Sequence, residues 1–286
     1  MFTADAVGAK LCVYRFTDGE VGVPAGVLAL NRIDEDHAML GAKAWPANRP
    51  AGFEWIWRDA NGDGKMEAAE YTRAKDERIP PDEPVSAWWP DEAGDVWAIA
   101  GDGRVRRFRM KGFDQFDNPI YEASESDEPP LPRPLVRAER MQYLASDDTM
   151  WLSGYSAEVP DRGSSYAKIG RVICRYDHWS KGKKLALQLA IPHIDDIVPT
   201  SLYVAGDYLF VGYLRKMECR VYDARSGAYV GMLEPKAPLA DDQQDVLCDG
   251  REGLRAVKCA GGEYLVFMAD RGRNKLVVYR WRAGAR

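Results

Sequence analysis

Residues 59–70 read DANGDGKMEAAE, a run in which oxygen-bearing side chains recur at regular intervals. Asp59, Asn61, Asp63, Glu67 and Glu70 occupy positions 1, 3, 5, 9 and 12 of a twelve-residue window. Gly64 stands at position 6, and Lys65 at position 7, where only a backbone carbonyl is needed. Calcium takes six to eight hard oxygen ligands at about 2.3–2.6 Å. In a tight loop, short side chains at alternate positions point inward, and a glycine permits the positive φ that wraps the chain about an ion. Four carboxylates crowded in this way repel one another unless a cation lies between them. The chemistry indicated is calcium binding through Asp59, Asn61, Asp63, Lys65, Glu67 and Glu70. Magnesium suits the cage less well, because it accepts fewer protein ligands. The alternative is a polar surface hairpin of Asx turns that holds no ion.

The elements that must carry this loop are strands. Short runs such as LCVYRF, DVWAIAG, TMWLSGY, RVICRYD, YLFVGY, CRVYDA and KLVVYRW are rich in β-branched and aromatic residues, and Gly, Asp or Asn punctuates between them. The best helical stretch is MEAAEYTRAKDE, one to three turns just after the loop, whereas FEWIW before it reads as a strand. The class is all-β. Four segments read alike, at 85–123, 141–192, 199–235 and 254–281. Each runs strand, Gly or Asp turn, strand, longer turn, strand and usually a last strand. A unit of about 40–50 residues with four short strands is a β-propeller blade. With the N-terminal strands and the FEWIW region included, the expectation is about five or six four-stranded blades in one domain over 1–286. Residues 53–75 then form a calcium-loop insertion between blades, and a β-sandwich is the competing fold. Either an N-terminal strand completes the last, three-stranded blade, or the chain starts mid-blade as a piece of a longer protein. The acidic, Pro-rich stretch NPIYEASESDEPPLPRPLVRAE reads as an exposed loop.

Other candidate chemistry is sparse. The three histidines are His37, His178 and His193, the last beside Asp195 and Asp196. A histidine next to acids is a candidate general base, though a hydrogen-bonded loop residue is the commoner outcome. There is no GxSxG, HExxH or Cys/His pairing, and GDGR and GGEY are turns with no helix behind them to bind phosphate. Trp-rich AWWP (87–90) and HWS (178–180) could stack on sugar rings, but blade cores are also packed with aromatics. Cys12, Cys174, Cys219, Cys248 and Cys259 form no CxxC pair and read mainly as buried thiols, with a Cys248–Cys259 disulfide unsupported by spacing. A net charge of −5 and a pI near 5.4 argue against nucleic acid as a partner. The basic cluster RVRRFRMK (104–111) reads as a solvated strand face. No apolar run approaches the ~18 residues of a membrane span. The N-terminus lacks the layout of a signal peptide, so either the chain is cytosolic or an export signal lies outside it.

The window 59–70 resembles the EF-hand calcium loop and meets the pattern D-x-[DN]-x-[DN]-G-x5-E at every side-chain ligand position. It departs upstream, where GFEWIWRD supplies a strand instead of a helix, and a single loop is found where EF-hands come in pairs. Trp57, Asp59, Asn61, Gly62, Asp63, Gly64 and Glu70, with GDVWAIAGDGRVRRFRMKGFDQFDNPIY and GEYLVFMADRGRNKLVVYRW, are similar to a bacterial group of NHL-type β-propeller proteins that carry such a loop between blades. That resemblance spans about 85–281 plus the loop and implies a calcium-stabilised propeller. It implies little about activity, since propellers host many functions. The expected role is a non-catalytic binding or scaffold module, with a carbohydrate or protein as unidentified partner. The competing role is a lyase or hydrolase acting on an exported polymer or lactone at the central channel. A lone loop suited to near-millimolar calcium points to an extracytoplasmic location.

Overall fold

The computed structural model describes residues 1–4, 10–17, 19–30, 46, 48–50, 52, 54–74, 87–100, 103–161, 169–192, 198–213, 217–235, 253–270 and 275–282. The chain is all-β, with nineteen strands among the described residues and three short 3-10 turns. The first sheet joins β1 (Phe2–Ala4), β2 (Lys10–Arg15), β3 (Val23–Leu30), β4 (Glu54–Arg58) and β5 (Tyr71–Arg73) in chain order. The second holds β6 (Ala87–Pro90), β7 (Val96–Ile99) and β8 (Val105–Phe108). The third holds β9 (Leu135–Leu144), β10 (Thr149–Ser156), β11 (Val172–Asp177) and β12 (Lys184–Ala190). The fourth is β13 (Pro199–Ala205), β14 (Tyr208–Tyr213), β15 (Cys219–Asp223) and β16 (Tyr229–Leu233), and the fifth is β17 (Leu254–Lys258), β18 (Tyr264–Asp270) and β19 (Lys275–Trp281). Every pairing is antiparallel between strands adjacent in sequence, so each sheet is an up-and-down meander of the kind that makes a propeller blade. The four segments expected to repeat are the second to fifth sheets.

The chain divides into two compact units, 1–131 and 132–286. In the first, alternation sorts the first sheet into two faces. Leu28 pairs with Ile56 across β3 and β4, and both join Val96, Ala98 and Phe108 of the second sheet in one core. Their neighbours Val27, Ala29, Trp55 and Trp57 point the other way and pack with Met66 and Tyr71. In the second unit, the third and fourth sheets share Trp151, Ile173, Leu209 and Val211, and the fourth and fifth share Phe210, Val221, Val266 and Met268.

Several expectations need correction. The helix after the loop shrinks to one 3-10 turn, Ala68–Glu70, followed at once by β5. Tyr71 pairs with Trp57 in the ladder and its ring meets Trp55 edge-on at 5.4 Å, so cross-strand aromatic packing overrides a weak helical pattern. The loop 59–70 therefore connects neighbouring strands of one sheet instead of lying between blades. The N-terminal strand β1 pairs with β2. The Pro-rich stretch is not an exposed loop throughout: Asn118, Tyr121, Ala123 and Leu135 are buried, and its last residues begin β9. Nor is RVRRFRMK a solvated face. Arg106 is 1% exposed, with Nη1 3.0 Å from Glu54 Oε1, and Arg107 lies 4.8 Å over the Trp97 ring. Cys174 and Cys219 are buried thiols, Cys12 and Cys259 are half-buried, and none of the four is in a disulfide; Cys248 lies outside the described residues.

Candidate metal centre

The loop hangs from a firm base. Trp57 is 0% exposed, and its indole N–H donates to Glu70 Oε2 at 2.9 Å across the mouth of the β4–β5 hairpin. Glu70 Oε1 accepts the backbone N–H groups of Ala60 at 2.8 Å and Asn61 at 3.3 Å, and Oε2 also accepts that of Glu67 at 3.3 Å. One carboxylate thus gathers four donors and draws the far end of the loop onto its start. Glu67 and Glu70 cap the 3-10 turn reciprocally. Two Asx turns shape the span between: Asn61 Oδ1 accepts the Asp63 N–H at 3.0 Å, and Asp63 Oδ1 accepts the Lys65 N–H at 2.8 Å. The Lys65 N–H bond, with the Lys65 ammonium 3.4 Å from Oδ2, holds the Asp63 carboxyl below the usual carboxylate range. Gly62 and Gly64 sit at φ of 81° and 73°, as the position-6 glycine was expected to.

Beneath the loop lies a second layer of residues that sequence reasoning missed. Arg15 on β2 donates through Nη1 to Asp59 Oδ2 at 2.5 Å and to Asn118 Oδ1 at 2.6 Å, and through Nη2 to the Gly62 carbonyl at 2.8 Å. Asn118 donates to the Asp59 carbonyl at 2.6 Å. Asn118 belongs to a turn organised by Asp114, whose Oδ1 accepts the N–H groups of Phe116 and Asn118, while Oδ2 accepts Arg58 Nη1 at 2.6 Å. Burial pushes the Asp114 carboxyl up, but the hydrogen bonds from Asn118, Phe116 and Arg58 outweigh it and leave the group depressed. The Phe116 ring closes over Gly62, where an added Cβ would lie 2.5 Å away. The DQFDN spacing of residues 114–118 does signal an Asx turn. Nothing in it says that the turn docks on a loop some fifty residues earlier.

Of the six expected ligands, Asp59 is 0% exposed, Glu70 is half-buried, and Asn61, Asp63, Lys65 and Glu67 are exposed. Asn61 Nδ2 meets Glu67 Oε2 at 3.1 Å. Among the described residues, no three Asp, Glu, His or Cys side chains are gathered as one coordination shell. The six share a loop and a chain order that suit a hard cation, while Glu70 is turned onto backbone donors. One atom bears directly on cation fit: Asp59 Oδ1 is buried and accepts no hydrogen bond. A buried carboxylate oxygen left without a donor costs about 1–3 kcal/mol or more, and an oxygen-seeking cation relieves that cost.

The other candidate sites fare differently. His178 is exposed at φ 56°, a turn residue whose carbonyl accepts the N–H groups of Lys181, Gly182 and Lys183. His37, His193, Asp195 and Asp196 lie outside the described residues. Trp88 and Trp179 are each 3% exposed, while Trp89 of the AWWP run is half-buried. No described helix is long and apolar enough to cross a membrane.

No family profile matches the chain, and no curated protein matches it. Among solved structures it is similar to a candidate 6-phosphogluconolactonase from Bacteroides fragilis, at 10% identity and a TM-score of 0.42, over 99% of this chain and 83% of that one. It is also similar to a candidate 6-phosphogluconolactonase from Bacteroides uniformis, at 11% identity and a TM-score of 0.41, over 99% of this chain and 84% of that one. A third similarity is to the β-propeller domain of Cps50 (Swd1) from Myceliophteria thermophila, at 10% identity and a TM-score of 0.39, over 99% of this chain and 85% of that one.

Proposed function

We propose that the chain is a non-catalytic binding or scaffold module of propeller-type sheets, in which calcium bound by residues 59–70 stabilises the β4–β5 loop. The observation that carries this reading is Asp59: the first ligand position of the window holds a fully buried carboxylate whose Oδ1 accepts no hydrogen bond. The order of Asn61, Asp63, Lys65, Glu67 and Glu70 after it, and the left-handed glycines between, support the same conclusion. On this reading the protein is of the NHL type and works outside the cytoplasm, where calcium is near millimolar. The sheets present their surface to a protein or carbohydrate ligand.

The test is thermal melting in EDTA and in millimolar calcium, with metal analysis of the same sample. Calcium at one hundred times its Kd would stabilise the folded state by about 2.7 kcal/mol, a shift of several degrees. Asp59→Ala combined with Glu70→Ala removes hydrogen bonds that the loop needs anyway, so its melting point in EDTA falls as well. The informative quantity is the difference between the two media, which is expected to vanish in the double variant. A wild-type protein that carries no metal and melts identically in both media overturns the proposal.

A further inference from the structure

We infer that Arg15 is a counter-charge of the loop, a cation built into the protein that pairs with one oxygen of Asp59 and leaves the other for a bound ion. This rests on the calcium reading above and extends it to a residue on a different strand. The Arg15 and Asp59 side chains are 8% and 0% exposed, so the pair is sealed from water. The guanidinium is used on three sides, by Asp59 Oδ2, Asn118 Oδ1 and the Gly62 carbonyl, and cannot swing away without breaking all three contacts. The guanidinium meets the carboxylate through Nη1 on Oδ2 alone, and its bonds to Asn118 and Gly62 hold that charge in place beside it. With Oδ2 committed to Arg15, Oδ1 is the oxygen left without a donor.

The arrangement has two consequences of opposite sign. Arg15 supplies positive charge to a buried carboxylate when no ion is present, so the loop base does not depend on calcium to stay folded. The same positive charge repels an incoming dication and weakens its binding. Removing Arg15 should therefore make the fold depend on calcium while making the site bind it more tightly.

The experiment compares wild type, Arg15→Met and Arg15→Lys by melting in EDTA and in calcium, and by calorimetric titration with calcium chloride. For Arg15→Met the melting point in EDTA is expected to fall, the calcium-induced rise to exceed that of wild type, and Kd to drop by about tenfold. Arg15→Lys keeps the charge but not the fork, and is expected to keep a Kd close to that of wild type. If Arg15→Met folds only in calcium, the inference stands in its strongest form. If wild type responds to calcium and Arg15→Met responds by the same amount with the same Kd, the inference fails and the calcium reading survives. If wild type is silent but Arg15→Met gains a calcium response, the wild-type calcium reading falls and the inference falls with it. If Arg15→Met is unfolded in both media, Arg15→Lys decides: a Kd tightened as the loss of a charge would tighten it overturns the inference, and an unchanged Kd upholds it. If neither wild type nor Arg15→Met responds, both readings are overturned.

Discussion

Gly62 shows how little room the loop has. Its φ of 81° is costly for any other residue, and an added methyl would meet the Phe116 ring at 2.5 Å. Gly62→Ala therefore faces two penalties, a left-handed backbone and a ring that must move, together about 1–3 kcal/mol. Phe116→Ala alone removes a partner of the loop and costs some stability. The double variant is expected to be less destabilised than the sum of the singles, because the clash disappears while the backbone strain remains. Urea denaturation of the four proteins measures that coupling. Strict additivity would place the Phe116 ring away from Gly62. At this scale the turns of the loop were legible in the sequence, since residues 59–70 are consecutive and Asn61, Gly62, Asp63 and Gly64 shape the chain through local contacts. Arg15, Asn118 and Phe116 were not, because their roles depend on contacts made across 103, 59 and more than fifty residues.

Between elements, one buried pair fastens the first sheet to the second. Glu54 on β4 and Arg106 on β8 are each 1% exposed, and Arg106 Nη2 also donates to Ser126 Oγ at 2.7 Å. Breaking such a pair from one side leaves a buried charge, so Arg106→Met should cost about 3–5 kcal/mol in equilibrium unfolding. Glu54→Leu with Arg106→Met should cost less than the single Arg106 variant, because both charges leave together. A double variant worse than the single would mean that the pair itself is net stabilising. The strands were readable from alternation, and the second to fifth sheets match the four repeated segments. What misled was composition taken locally. Arg106 looks solvated when only its own strand is considered, and MEAAEYT looks helical until Trp55 and Trp57 offer Tyr71 a ladder. Propensity is a small term beside two buried indoles.

For the molecule as a whole, acid should be the effective denaturant. Asp63, Asp114, Asp148, Asp207 and Asp223 all hold their carboxyls below the ordinary value of 3.8. A folded pKa below the unfolded one contributes stability that is complete above the unfolded pKa and is lost as pH falls through the folded one. Asp63, Asp207 and Asp223 lie at the surface, where solvent screens the effect. Asp114 and Asp148 are partly buried, and their depression survives desolvation only through donors such as Asn118, Arg58, Ser180 and Tyr143. Melting temperature is expected to be flat from about pH 7 to 5 and to fall below about pH 4. Asp114→Asn is expected to lower stability at pH 7 and to flatten the acid limb. A variant that loses nothing at pH 7 would mean that the turn around Phe116 does not depend on that charge.

The grip of Arg15 on Asp59 and Asn118 also sets an order of events during synthesis. The twelve ligand-loop residues leave the ribosome well before Asn118 does, and Arg15 before either. Until roughly the first 120 residues are out, the carboxylates of the loop are present but the residue that locks their scaffold is not. A peptide covering 54–73 escapes the repulsion of Arg15 but also lacks Asn118 and Phe116, which hold the loop in shape, so it would be a poor calcium chelator despite containing every expected ligand. Ion capture by the growing chain would mark the moment when the first two sheets have come together, a late checkpoint rather than a seed.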